Sequence, residues 1–486
     1  MTGIDVAAAV AGWPAILPAL VVLATALVVM GADLLRPDAE HEGLVALGIG
    51  GLAAALVTAA WLWSGGTVTG FHGTLRADGY GLFFAMLTCL GGILTLLMSV
   101  EYLRDEPVAA GDYCVLVLLA ACGMVVMAAA ADLLVIFLAL EVMSVAVYVL
   151  AGMRRGDPRS NEAAVKYFLL GAFASGFLLY GVAFVYGATG STRLDVLAAH
   201  LAGGAGGSGY LLVGSALLLV GFGFKVALMP FHVWTPDVYE GAPTPVTTFM
   251  AVGVKAAGFA AFARVFTVVL AHTDVWPPVL AWVAVLTMTV GNVTALAQTS
   301  TKRMLAYSSI AHAGYALIGV VVGTTQGTSA LLFYLVAYTV MNVGAFGVLL
   351  ALARRGEAGE QLSDLAGVGL RHPGLGLAMT VFMLSLAGMP PTAGFIGKVH
   401  LFTAAVDAGW VALALAGVLN SLVSVYYYLG VLVRMFMTDG DRSLVPPLSR
   451  PVLMVSIGIA VVGTLGLGFF PGLPLELARL SAATLP

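Results

Sequence analysis

Runs of about twenty apolar residues follow one another along almost the whole chain, and each ends at a short connection where Arg, Lys, Pro or Gly collects. Coiled as an α-helix, such a run is as long as a bilayer's hydrocarbon core is thick. The helix also satisfies its own backbone hydrogen bonds where no water can. Composition points the same way: 60% of the 486 residues are hydrophobic and 9% are charged. Mean hydropathy is +1.02, which suits the bilayer as solvent and not water. The fold class is an all-α integral membrane protein.

Spans start near Trp13, Leu44, Gly79, Tyr113, Leu133, Ala163, Tyr210, Pro245, Val279, Met304, Thr328, Gly374, Trp410 and Val452, about fourteen in all. The charge-free stretch from Met304 to Ala353 is long enough for two of them. The first, at Trp13, lacks the basic start and small-residue site of a signal peptide and reads as a retained helix.

Basic residues orient the chain. Arg36, Arg104, Arg154, Arg155, Arg159, Lys302, Arg303, Arg354, Arg355, Arg371, Arg434, Arg442 and Arg450 fall at connections on one side, against Arg76, Arg193 and Arg479 on the other. Thirteen against three marks the cytoplasmic side, which puts both termini outside a bacterial-type plasma (inner) membrane and makes the helix count even.

Two spans are interrupted: GFGFKVALMPFHVWTPDVY around Pro230, in the seventh, and LSLAGMPPTAGFIGKVHLF around Pro390 and Pro391, in the twelfth. They lie five helices apart, and an odd separation gives successive five-helix blocks opposite orientation. The expected organisation is three helices in 1–110, a first repeat in 111–272 (helices 4–8), an inverted second repeat in 273–440 (helices 9–13) and a last helix in 441–486.

The sequence excludes several chemistries. Cys89, Cys114 and Cys122 lie in apolar stretches without CxxC spacing, so they read as packing residues and give iron–sulfur or zinc ligation no support. No Gly-rich phosphate loop follows a strand, and a net charge of −4 without a Lys/Arg run gives nucleic acid no foothold.

Five basic residues remain inside spans: Lys166, Lys225, Lys255, Arg264 and Lys398. A charge at the bilayer centre costs about 2.5 to 3.5 kcal/mol on insertion scales, so each asks for a function or a partner. Glu141 is the acid placed deep, roughly 20 Å from Arg154, and Lys225 and Lys255 each lie about twelve residues from the loop between them. A Glu141–Lys225 contact that forms and breaks would load and release a proton. Pro230 cannot donate to the Val226 carbonyl, which is then open to a water or to the ammonium; a kink anchor is the bland reading of Lys225. Lys255 has no carboxylate at three or four residues and needs a partner from another helix or from water.

Lys398 follows the Pro390–Gly394 break, and an ion pair with Asp407 at the outer surface competes with a role in the path. For Lys166, an ion pair with Glu162 four residues earlier and an inner-side relay are both open. Arg264 cannot relay by titrating and is expected to set the local field or pair with Asp274. His312, with Tyr307, Ser308, Ser309 and Tyr315 near it and a kink expected at Gly314, could bridge lysines on either side or be a satisfied core histidine. His232, Asp237 and Glu240 read as capping and hydrogen-bonding residues of a helix end and loop.

The segments FLALEVMSVAVYVLAG around Glu141, KVALMPFHVWTPDVYEGAPTPVT from Lys225, KRMLAYSSIAHAGY around His312 and MPPTAGFIGKVHLF around Lys398 carry a resemblance. Over nearly its whole length the chain resembles the antiporter-like proton-pumping subunits of respiratory complex I (NADH-quinone oxidoreductase) and their Mrp antiporter relatives. The resemblance implies an inner half-channel pair of Glu141 and Lys225, a central relay at Lys255 and an outer half-channel at Lys398. In the sister subunit M a Glu stands where Lys398 does, and subunit L adds a long lateral helix, whereas this chain stops soon after Phe470. It also implies a place beside subunit M and small membrane subunits. NADH, FMN, iron–sulfur clusters and quinone would belong to other subunits, with no cofactor in this chain.

Two other readings stand beside that one. A stand-alone or Mrp-type cation/proton antiporter would exchange sodium through much the same path, though a sodium site would favour more carboxylates at mid-depth than Glu141 alone. A structural scaffold would hold its charges in permanent pairs and has little use for two broken helices. A membrane enzyme acting on lipid would need a nucleophile or metal cluster, and neither is found.

Overall fold

The structure is a computed structural model and describes residues 12–35, 41–203, 209–270, 273–353, 360–439 and 450–485. Of the residues used to orient the chain, Arg36, Arg354, Arg355 and Arg442 lie outside the described residues, as does most of the Gly-rich connection between Leu201 and Gly209.

Thirteen helices are long and apolar enough to cross a membrane. In chain order the helices are α1 (Trp13–Leu35), α2 (His41–Ser64), α3 (Gly79–Asp105), α4 (Ala110–Ala129), α5 (Leu133–Ala151), α6 (Pro158–Thr189), the short α7 (Leu194–Ala202), and α8 (Gly209–Val226). They continue as α9 (Trp234–Gly241), α10 (Thr244–Val268), α11 (Trp276–Leu296), α12 (Thr301–Val322) and α13 (Thr325–Leu352). The last are α14 (Pro373–Ala387), α15 (Ala393–Asp407), α16 (Val411–Met437), α17 (Pro451–Phe469) and α18 (Gly472–Ala482). The remaining span read from the sequence, the twelfth, falls on the pair α14 and α15, each fifteen residues long and too short alone. A small hairpin, β1 (Val68–Gly70) paired antiparallel with β2 (Leu75–Ala77), is an addition to the all-helical expectation.

Helix starts follow from capping chemistry. Asp78, Asp132, Asp157, Ser300 and Thr324 each accept from a backbone N–H of the first turn of α3, α5, α6, α12 and α13. Glycines end α6 (Gly190), α12 (Gly323) and α14 (Gly388) with φ of 72°, 64° and 87°, a conformation that costs a residue with Cβ. The helix α10 is buried along all but its last turn and α12 and α13 nearly so, whereas α1, α2, α16 and α17 turn most of their surface outward. The core of the molecule is thus α10, α12 and α13.

Gly314 does not kink α12, which runs unbroken. A Cβ there would meet the Met288 nitrogen at 2.8 Å and the Ala284 carbonyl at 2.9 Å, so the glycine serves the close crossing of α11 and α12.

The connections sort onto two faces. On one, Arg154 pairs with Glu106 at 3.7 Å, Arg450 with Asp105 at 3.2 Å, Arg303 with Glu240 at 2.8 Å and Lys302 with Glu360 at 3.2 Å. On the other, Arg193 donates to the His72 carbonyl at 2.8 Å and Arg76 to the Thr484 carbonyl at 3.4 Å. Glu141, expected to be the deep acid, is only half-buried; among the described residues the buried acids are Asp132 and, at opposite ends of α3, Asp78 and Glu101, and Glu101 caps α17 through the Val452 and Leu453 amides.

Both interruptions open the helix. After Val226 the chain turns at Ala227 (φ 63°), and the Leu228 amide reaches back to the Gly223 carbonyl at 2.8 Å. After Ala387, the Gly388 amide closes onto the Leu384 and Ser385 carbonyls, so those of Leu386 and Ala387 lack helical partners.

Candidate functional site

Lys225 is the last residue but one of α8, and it is 2% exposed. Its ammonium donates to the Tyr148 hydroxyl at 3.2 Å and lies 5.1 and 5.4 Å from the ring centres of Tyr148 and Tyr167. The freed carbonyl near Pro230 is not what holds it. The turn is closed by backbone bonds, and the Phe224 carbonyl accepts from the Trp234 indole at 3.0 Å.

The expected direct contact with Glu141 is absent among the described residues. Glu141 accepts from the Ser175 hydroxyl at 2.5 Å, and its charge is felt by both Tyr148 and Lys225. Tyr148 follows Glu141 by two helical turns, which puts both on one face of α5. A hydroxyl therefore stands where an ion pair was expected.

Lys255 follows a π-helical turn, Met250–Val254, inside α10. Turns of this kind are frequent at functional sites. The ammonium donates to the Ser309 carbonyl at 2.5 Å and to the Ser309 hydroxyl, so its partner does come from another helix. Ser309 is a junction: the Tyr338 hydroxyl donates to it at 2.8 Å, and Tyr239 hydrogen bonds to it as well. Tyr239 sits on α9 beside Trp234, whose ring stacks on Tyr167 at 4.3 Å. Aromatic side chains and one serine thus connect the surroundings of Lys225 to Lys255.

His312 is 2% exposed and bonded at both nitrogens, Nδ1 to the Tyr334 hydroxyl at 2.6 Å and Nε2 to the Tyr428 hydroxyl at 3.1 Å. Tyr428 continues to Ser308. The charges of Lys398 and Lys255 both bear on the ring, which sets it in the field of the two lysines.

Lys398 turns inward and is 4% exposed. Its ammonium takes the Leu386 and Ala387 carbonyls at 3.0 and 3.1 Å and the Ser421 hydroxyl at 2.8 Å. The outer-surface ion pair with Asp407 is therefore overturned: the broken helix offers nearer acceptors, and Asp407 holds Gln326 at 2.8 Å instead.

Of the two readings of Lys166, the ion pair with Glu162 is present at 2.6 Å; the side chain is 39% exposed at the rim and also bonds Asp237 at 2.6 Å. Two further expectations need correction. Asp237, read as a loop residue, joins Lys166 to Arg303, which it meets at 2.8 Å. Partial burial pushes the Asp237 carboxyl up, but hydrogen bonds from Lys166 and Arg303 outweigh it and hold the group below the usual carboxylate value. Arg264 pairs not with Asp274 but with Asp78, through two bonds of 2.8 Å.

Sequence reading missed Tyr148, Tyr338, Tyr428 and Ser421. For Tyr148 a signal existed in its seven-residue spacing from Glu141; Tyr428 and Ser421 come from α16, more than a hundred residues after His312, with no local cue. Among the described residues no three His, Cys, Asp or Glu side chains could hold a metal ion, and the three cysteines are buried and free.

Broken helices that gather buried lysines at the centre of a helical bundle define an antiporter-like membrane protein. The family model described as NADH:quinone oxidoreductase/Mrp antiporter, TM, matches residues 130–424. Among curated relatives, NADH-quinone oxidoreductase subunit N of Trichlorobacter lovleyi is 47% identical over 96% of both chains, and that of Chloroflexus aggregans is 45% identical over 96% of both. A chain of respiratory complex I from Thermus thermophilus superposes with a TM-score of 0.80 at 41% identity, over 94% of this chain and 99% of that one. A chain of the Mrp complex from a Dietzia species gives 0.85 at 25% identity, over 96% and 97%. The chain belongs to the NADH:quinone oxidoreductase/Mrp antiporter family, and it is a multi-pass membrane protein similar to subunit N of complex I.

Proposed function

We propose that the chain is a proton-translocating subunit of the membrane arm of an NADH:quinone oxidoreductase. Protons move along Glu141, Lys225, Lys255, His312 and Lys398, driven by quinone reduction in other subunits. The observation that carries this reading is how the three lysines are held. All are at most 4% exposed, and none has a carboxylate within ion-pair distance among the described residues. A buried cation that is permanently charged wants a counter-ion, as the Arg264 guanidinium has in Asp78. Lysines held by hydroxyls and carbonyls can change their charge state, and hydroxyls can pass the proton on.

Glu141 and Lys225 form the inner half of the path through Tyr148, Lys255 its centre, and Lys398 its outer half. Lys166 belongs with the surface ion network at the inner rim. The two breaks, five crossings apart, support the inverted repeat of 111–272 and 273–440, flanked by the helices of 1–110 and 441–486. The basic-rich face is cytoplasmic and both termini face the periplasm. Subunit M and small membrane subunits are the neighbours, and NADH, FMN, iron–sulfur clusters and quinone are bound elsewhere in the complex.

The test is quinone-reductase activity and proton pumping in membranes carrying Lys225→Ala, with assembly checked on a native gel and with sodium present or absent. A joint loss in an assembled complex, indifferent to sodium, is the expected result. Normal activity and pumping would make Lys225 structural, and a sodium requirement would favour cation exchange.

A further inference from the structure

Away from the lysine line, a narrow groove of about 320 Å3 runs between α2, α3, α13 and α18, lined by Leu56, Ala60, Phe83, Leu87, Leu90 and Val336. Its walls are almost wholly apolar. Val336 lies eleven residues inside α13, so the groove reaches about 16 Å into the membrane-spanning bundle. At its mouth the Trp63 indole donates to the Ser481 hydroxyl at 3.0 Å. Trp is the residue that marks the boundary between hydrocarbon and headgroups.

The mouth also carries charge. Ser481 accepts from the Thr484 hydroxyl, and the Thr484 carbonyl accepts from Arg76, one-third exposed. Arg76 pairs with Asp78 at 3.4 Å, but Asp78 already holds both nitrogens of Arg264 at 2.8 Å. Among the described residues, two guanidinium groups share this one carboxylate, which leaves one positive charge beside an apolar groove.

Size decides what fits. A helix at least 10 Å across fills roughly 800 Å3 per 10 Å of length, more than the groove offers. An alkyl chain, roughly 4 to 5 Å wide by carbon contact distances, fills about 130 to 310 Å3 over 10 to 16 Å. We propose that this groove seats one acyl chain of an anionic phospholipid, with the headgroup phosphate set against Arg76. An uncharged isoprenoid quinone would fit the walls but leave the surplus charge unanswered.

The experiment uses the assembled complex in native membrane vesicles, with phosphatidylglycerol or diacylglycerol carrying a photoreactive group in one acyl chain. Adducts are mapped by peptide mass spectrometry. Phosphatidylglycerol should label residues 56–63 and 83–90 about fivefold more than diacylglycerol, the effect of one basic side chain on an anionic lipid. Arg76→Gln should erase that difference and Arg76→Lys restore it, while Ala60→Trp, which fills the groove, should remove labelling by both lipids. Equal labelling by the two lipids in the unaltered complex, undiminished labelling in Ala60→Trp, or suppression by excess quinone would overturn the proposal.

Discussion

The two broken helices use the same opening of the backbone to opposite ends. At the first, the lysine precedes the break: Lys225 sits at the end of α8, under aromatic rings, with one hydroxyl as its partner. At the second, the lysine follows it: Lys398 sits in the first turns of α15 and reaches back to the two carbonyls that the end of α14 leaves open. Lys225 stands five residues before Pro230, and Leu386 stands five before Pro391. The second lysine thus bonds the backbone of the position that corresponds to the first. One site surrounds an ammonium with three aromatic faces and a single hydroxyl, the other with three oxygens and one aromatic face, Tyr315 at 4.9 Å, and this contrast separates their tolerance to change.

An aromatic cage emptied of its ammonium offers water few partners, whereas two carbonyls and a hydroxyl can hold one. Lys225→Ala should therefore cost the most, with coupled activity falling on the order of a hundredfold, as for removal of a proton-transfer group. Lys225→Arg should fall as far although the charge is kept, because a guanidinium does not titrate. Parallel assays of pumping and quinone reduction check both, and activity in the arginine variant would break the contrast.

Lys398→Ala should lose less, on the order of tenfold, because a water can replace the ammonium among the oxygens. Equal losses at the two breaks would mean that the oxygen-lined site tolerates no substitute. Below these come the partners. Tyr148→Phe removes the one hydrogen bond and keeps the ring, and should slow turnover about fivefold, near 1 kcal/mol. Ser421→Ala leaves both carbonyls in place, and about twofold is expected. Steady-state rates in membranes of matched complex content rank the pair, and the reverse order would undo the comparison.

The smallest effect concerns the ion network at the rim beside the first break. The carboxyl of Asp237 sits below its ordinary value when folded, so its stabilisation is present above the unfolded value and is lost as pH falls through the folded one. The difference in thermal unfolding between the unaltered protein and Asp237→Asn should be flat from about pH 5 to 9 and shrink below about pH 4. A difference that shrinks on the alkaline side would assign the effect to another group.

What the sequence disclosed of this site divides by distance along the chain. The lysines were legible because a charge inside an apolar run announces itself, and so was the foreign partner of Lys255, since no acid stood at helical spacing. The Arg264–Asp78 pair joins residues 186 apart and was not. Nor was Lys302, which sits by spacing in a connection yet is 1% exposed and donates to the Ala242 carbonyl at 2.7 Å, because the fold closes α9 over it. Asp237 looked like a cap because its two cations come from α6 and α12. The crossings themselves were readable, since hydrophobic length is a local property, whereas which tyrosine meets which lysine is decided by how helices from remote segments meet.

The π turn ahead of Lys255 sets a rule about length. A π turn holds one residue more than the regular helix needs, and one residue is worth about 100° of rotation about the axis. The turn takes up that extra residue on the spot, so removing one residue from 250–254 would let α10 run straight with Lys255 still turned toward Ser309, and a second removal would swing it away. The turn is thus a slack of one residue in the helix that carries the ammonium, and it absorbs a single deletion and no more.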